Sequence, residues 1–272
     1  MRWVGKILGG AFGLFVGGPL GALFGAAFGH QFDVGMEGMD RLHGWRFRPG
    51  GQQRIQMAFF TATFSVMGHV AKADGRVSQA EIDLASRIME EMGLTGEMRQ
   101  AAIKLFQEGK VADFPLQETL RQFRQECQQR LDLLRMFLEI HIQAALADGS
   151  ISAREERLLL QICAQLGVSR FDYQRLKLQL QAQQRFYQKS RYRQKRGGST
   201  SGQPSLQDAY AVLGVTAAAS DSEVKRAYRR LISQHHPDKL VAKGLPEEMM
   251  TMAKEKTQKI RKAYEIISAA RK

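Results

Sequence analysis

Three hydrophobic regimes follow one another along the chain. From Ile7 to Gly29 the sequence is apolar and glycine-rich, a run of 23 residues without a charge. A helix rising about 1.5 Å per residue covers about 35 Å over that run, enough for a hydrocarbon core of about 30 Å. From 55 to 180 apolar residues recur at helical spacing, as in Leu131, Leu134, Leu138, Ile142 and Leu146, which predicts core-facing stripes. From 205 to 272 two more stripes follow. One is Val224, Ala227, Tyr228, Leu231 and Ile232; the other is Met249, Met252, Ala253, Lys256, Ile260, Ala263, Tyr264 and Ile267. The predicted fold is all-α: residues 1–6 outside the membrane, one transmembrane helix over 7–29, a juxtamembrane segment over 30–54, a bundle over 55–180, a basic flexible linker over 181–204 and an antiparallel helix pair within 205–272.

Glycine sharpens the first regime. Gly5, Gly9, Gly13, Gly17, Gly21, Gly25 and Gly29 are spaced by four without a break. On one helix that row makes a smooth groove where a second backbone can approach, the pattern of helix association in bilayers. A cleaved signal peptide is the alternative. The uncharged run is long for that role, and the glycine period would serve nothing in a peptide to be removed.

The middle regime contains an internal repeat. Val66–Leu94 and Ile140–Val168 align at an offset of 74 residues around Ala-Asp-Gly, a β-branched residue, Ser and Glu. Asp74 and Asp148 invite a calcium-loop reading, but neither stretch supplies the ligands of a twelve-residue loop. Capping accounts for the pattern better. Glycine ends one helix, and Ser78 with Glu81, or Ser152 with Glu155, opens the next.

Charge changes the picture mainly by its location. The chain carries a net +13, yet the middle regime is nearly balanced and the excess lies in 181–204 and in the C-terminal helices. Arg185 to Arg196 interleaves cations with aromatics; a solvated linker is favoured there over a segment binding RNA or anionic lipid, and nucleic acid is not expected as a partner. Two cysteines, Cys127 and Cys163, form no disulfide framework. No P-loop, metal-ligand set or activated nucleophile stands out, so neither catalysis, a metal nor a cofactor is expected.

The most specific signal is His236-Pro237-Asp238. Asp221-Ser222 before Glu223 predicts a helix start, and that helix carries Lys225, Arg226, Arg229 and Arg230 around its apolar stripe. Pro237 ends it and forces a turn. With Tyr210-Ala211-Val212-Leu213-Gly214-Val215 ahead and Ile260 to Ser268 behind, residues 205–272 resemble the J domain of the DnaJ family. That resemblance implies an Hsp70 partner whose ATP hydrolysis is coupled to docking through His236, Pro237 and Asp238. It also implies that Tyr228, Lys225, Arg226, Arg229 and Arg230 make the contact. His235 stands where the family often has Tyr and reads as a packing residue. The connector Lys239–Pro246 is longer than usual.

The repeated helix pair resembles the TerB-like domain. The whole order is similar to the membrane-anchored, type III J-domain co-chaperones of the bacterial inner membrane. It implies a periplasmic N-terminus, cytoplasmic domains, the lipid bilayer as partner, a homodimer through the span, and regulation of a cytosolic Hsp70 (DnaK) tied to envelope-stress or capsule signalling. The alternative is a membrane signalling scaffold whose TerB-like domain binds an effector while the J domain is secondary.

Overall fold

The computed structural model describes residues 20–23, 51–73, 75, 77, 79–127, 130–147, 149–195, 206–245 and 250–271. The expected span lies outside these residues apart from Leu20–Leu23, which are helical. Leu20 is buried against the bundle and its N–H donates to Gln122 at 2.8 Å. Among the described residues no helix is long and apolar enough to cross a membrane.

Seven helices build the larger body: α1 (Gly51–Ala71), α2 (Gln79–Glu91), α3 (Gly96–Gly109), α4 (Leu116–Glu126), α5 (Leu131–Ala145), α6 (Ala153–Leu166) and α7 (Arg170–Lys195). Helix α1 is buried on every side from Ala58 to Met67, polar Thr61, Thr63 and Ser65 included, as a helix apolar nearly all round must be. Ser65 satisfies its hydroxyl by donating to the Thr61 carbonyl at 2.8 Å. Around α1 stand α3, α4 and α5. Phe59, Phe123 and Phe137 meet at centroid separations of 4.5 to 6.3 Å, edge-on or tilted as ring quadrupoles prefer.

Helices α1 and α3 cross at backbone contact. A Cβ on Gly109 would lie 1.8 Å from the Ser65 carbonyl oxygen, and one on Gly68 would lie 2.0 Å from that of Phe106. Gly109→Ala is therefore expected to force the helices apart and cost about 3 kcal/mol, the upper end for overpacked sites. The fall in denaturant midpoint at unchanged slope measures it.

The repeat is geometric as well as textual. Gly75 and Gly149 stand at matching places in the turns that follow α1 and α5, with φ of 88° and 93°, and Gly93 and Gly167 follow α2 and α6 with φ of 64° and 74°. Leu94 N–H donates to the Met89 carbonyl at 2.9 Å just as Val168 does to Cys163 at 2.8 Å. Ser152 and Glu155 form the expected capping box; Ser78 lies outside the described residues.

Three expectations need correction. Leu131, read as core, is 74% exposed while Leu134, Leu138, Ile142 and Leu146 are buried. It is the first residue of α5, and a helical side chain covers the turn preceding it, which Leu131 lacks. Residues 181–195, read as linker, continue helix α7. The connector is not one loop, since Pro237–Ala242 form a short helix, α10.

The smaller body is α8 (Leu206–Leu213), α9 (Asp221–His235), α10 and α11 (Met250–Ala270). Its own core is Ala209, Tyr210, Val212, Leu213, Val224, Leu231, Ile260, Ala263 and Ile267. Arg271 locks its far end, donating to the Tyr210 hydroxyl at 2.7 Å, to Asp221 at 2.6 Å and to the Ala219 carbonyl at 2.8 Å.

Candidate functional site

The site grows from the start of α9. Its N-cap is Ser220, one residue before the expected start: Ser220 accepts from the Glu223 N–H, and Glu223 accepts from the Ser220 N–H at 2.7 Å. This box fixes the helix phase, burying Val224, Ala227, Leu231 and His235. Lys225, Arg226, Arg229 and Arg230 are exposed. Burial first, then the like charges of Arg175 and Arg135, lower the Arg230 guanidinium from its usual range. Tyr228 is half-buried and stacks on Tyr264 at 4.2 Å with 18° between the ring planes.

His236 closes α9 and opens α10 in one residue, with φ −65° and ψ 122°. That extended conformation is what a residue before proline adopts, and Pro237 then sits at the first helical position, where no N–H is needed. The His236 side chain is 42% exposed and that of Asp238 is 83% exposed. The His236 Nδ1 faces the Asp238 carboxylate at 4.0 Å, too far for a hydrogen bond. The cations thus lie exposed along α9, and the tripeptide follows the last residue of that helix. Gly21 is the one member of the glycine row among the described residues, and it is buried.

Sequence reasoning missed a buried charge cluster directly behind the turn. Glu139 of α5, 2% exposed, receives Lys256 of α11, Arg135 at 3.1 Å and His235 at 3.6 Å. Burial pushes the Glu139 carboxyl up, but Lys256, His235 and Arg135 outweigh it and hold it down at about 2. Burial drives His235 down to about 4 against the pull of Glu139. It also lowers Lys256, which Glu139 opposes. The signal was legible in principle: Glu139 and Lys256 are ionisable residues standing on apolar stripes of their helices. The two thiols offer no chemistry, since burial pushes Cys127 and Cys163 up to about 12.

An exposed His-Pro-Asp turn between two antiparallel helices, the first basic and amphipathic, defines a J-domain protein, and the DnaJ domain family matches residues 208–272. The family of tellurite resistance protein TerB matches residues 60–178, and the co-chaperone DjlA transmembrane domain matches residues 1–41. The chain is 47% identical to co-chaperone protein DjlA of Coxiella burnetii over 280 residues, spanning 100% of this chain and 99% of that protein. It is 46% identical to co-chaperone protein DjlA of Escherichia coli K12 over 272 residues, 98% and 97% of the two chains. No solved structure matches. The chain belongs to the DjlA co-chaperone family.

Proposed function

We propose that the chain recruits a cytosolic Hsp70, DnaK, to the inner membrane and accelerates its ATP hydrolysis while catalysing nothing itself. Residues 7–29 anchor it with the N-terminus in the periplasm, so that the TerB-like and J domains work in the cytoplasm. The observation that carries this reading is the exposed tripeptide beside Lys225, Arg226 and Arg229, a surface suited to an acidic partner. Adding the full chain to DnaK should raise its rate of ATP hydrolysis, with stimulation falling as salt screens the cationic helix. Unchanged hydrolysis in the presence of folded chain would leave the signalling-scaffold reading in its place. In the co-chaperone reading the regulatory output, envelope-stress or capsule signalling, depends on the same turn.

Self-association belongs to the same proposal. The row from Gly5 to Gly29 forms the contact in the bilayer, bringing two J domains together and raising local capture of DnaK by effective concentration. Replacing Gly13 and Gly17 by Leu should leave insertion intact and abolish cross-linked dimer in membranes; Gly21, buried within the chain, is left as it is.

A further inference from the structure

The longer connector has a counterpart on the bundle. Leu240, Leu245 and Ala253 belong to the apolar cluster of the bundle, not to the J domain's own core. Between them Lys243 meets Asp132 of α5, and Arg130 donates to the Lys243 carbonyl at 2.7 Å. Gln52 donates to the Val241 carbonyl at 3.2 Å, and at the other end of the contact Gln179 of α7 donates to the Val212 carbonyl of α8 at 2.8 Å. Gly244 sits where the surfaces come closest. Its φ is +98°, and a Cβ there would stand 2.9 Å from both Arg130 and Ile55. Leu240, Val241, Lys243, Gly244 and Leu245 of the connector thus all meet the neighbouring domain.

The grip falls on the flanks of the tripeptide. His235, just before it, is 3% exposed beside Glu139; Leu240, just after it, is 1% exposed. His236 and Asp238 between them face solvent. The Glu139–Lys256 contact gives the arrangement its register. A carboxylate and an ammonium buried together fix the offset of the two surfaces, because a slide that keeps the seam closed would leave Lys256 buried without its anion.

We propose that the TerB-like bundle is the receptor for this chain's own J domain, held through α10, Lys243–Leu245 and the Glu139–Lys256 pair, with the His-Pro-Asp turn presented outward at a fixed orientation. The bundle's face is therefore an intramolecular interaction surface, and the J domain is not free on a tether. This inference is independent of Hsp70 stimulation, because its test reads protection and not ATPase.

The test is amide hydrogen exchange on the full chain in detergent, comparing wild type with Lys256→Glu and, from the other side, Glu139→Lys. Each substitution sets like charges against each other across the contact. The expected result is at least tenfold faster exchange in the domain that was not mutated: in the first turns of α5 for Lys256→Glu, and in α10 through Leu245 for Glu139→Lys. The central amides of α9 should stay protected in the second variant. Combining the two substitutions reverses the pair and should restore protection on both faces. Faster exchange confined to the mutated domain, or none in either, would overturn the proposal, since a side chain that faces solvent cannot change its neighbour's protection. Loss of the mutated domain's fold with the other domain unchanged counts as the same refutation.

Discussion

His236→Gln is expected to reduce stimulation of DnaK ATP hydrolysis to the basal rate while leaving the chain folded. Glutamine accepts φ −65° and ψ 122° without strain, so it can end α9 and precede Pro237 as histidine does. The substituted side chain is half exposed, and no hydrogen bond joins His236 to Asp238, so little stability rests on it. What disappears is the imidazole in the turn, and a fall in stimulation at unchanged helicity and unchanged thermal midpoint assigns the function to that ring. Substitutions on the helix should behave differently. Lys225→Ala, Arg226→Ala or Arg229→Ala removes one exposed charge and should weaken docking by about 0.2–1 kcal/mol each, with a shallower salt dependence. An all-or-none loss at the turn against a graded loss on the helix separates coupling from attraction. Equal, graded losses at both places would show that the turn is only another point of contact.

How much of this could be read from the sequence depended on whether the signal was local. Helix phases were local: on the stripes of α9 and α11, Val224, Ala227, Leu231, Ala253, Lys256, Ile260, Ala263 and Ile267 are buried and Tyr228, Ile232, Met252 and Tyr264 half-buried, while Met249 lies outside the described residues. The repeat was local too, because a left-handed glycine and a Ser-Glu box are chemical necessities of a helix end and a helix start. Helix α9 starts at Asp221 as read, but its cap was not singled out because Ser220, Asp221 and Ser222 can all cap; the spacing to Glu223 selects Ser220. What escaped was long-range. Gly68 and Gly109 meet the carbonyls of Phe106 and Ser65, 38 and 44 residues away along the chain, and nothing near either says so. Lys256 was placed on an apolar stripe, but its partner Glu139 lies 117 residues away. The basic linker was misread over 181–195 because a run rich in Gln, Lys and Arg has good helix propensity and no apolar face to announce it.

Removing Glu139 is expected to have the largest effect on stability, and the way it fails distinguishes a seated J domain from a loose one. Glu139→Leu leaves Lys256 buried beside Arg135 with no anion. Breaking one half of a buried pair costs about 3–5 kcal/mol. Because separating the domains returns Lys256 to water, that loss should appear as undocking: one thermal transition is expected for the wild type and two for Glu139→Leu. Glu139→Leu with Lys256→Met removes both charges and should recover most of the loss, since a well-packed apolar pair replaces a buried ion pair at little cost. Acid should do reversibly what Glu139→Leu does. His235 is held at about 4 against its usual 6.5, so it is neutral when seated and takes up a proton more readily when the seat opens. A folded value below the unfolded one means stability that is complete above pH 6.5 and lost as pH falls toward 4, about 3 kcal/mol over that window. Glu139, held at about 2 against 4.5, has the same sign and extends the loss below pH 4.5. His141, buried in the bundle and also driven down to about 4, contributes to unfolding over the His235 window. Burial lowers His69 of the bundle as well, so His235→Tyr should remove one share of the pH dependence below 6.5 and leave those of His141 and His69. An unaltered slope in that variant would mean that His235 is not enclosed by Glu139 in solution, and the seat behind the His-Pro-Asp turn would fall with it.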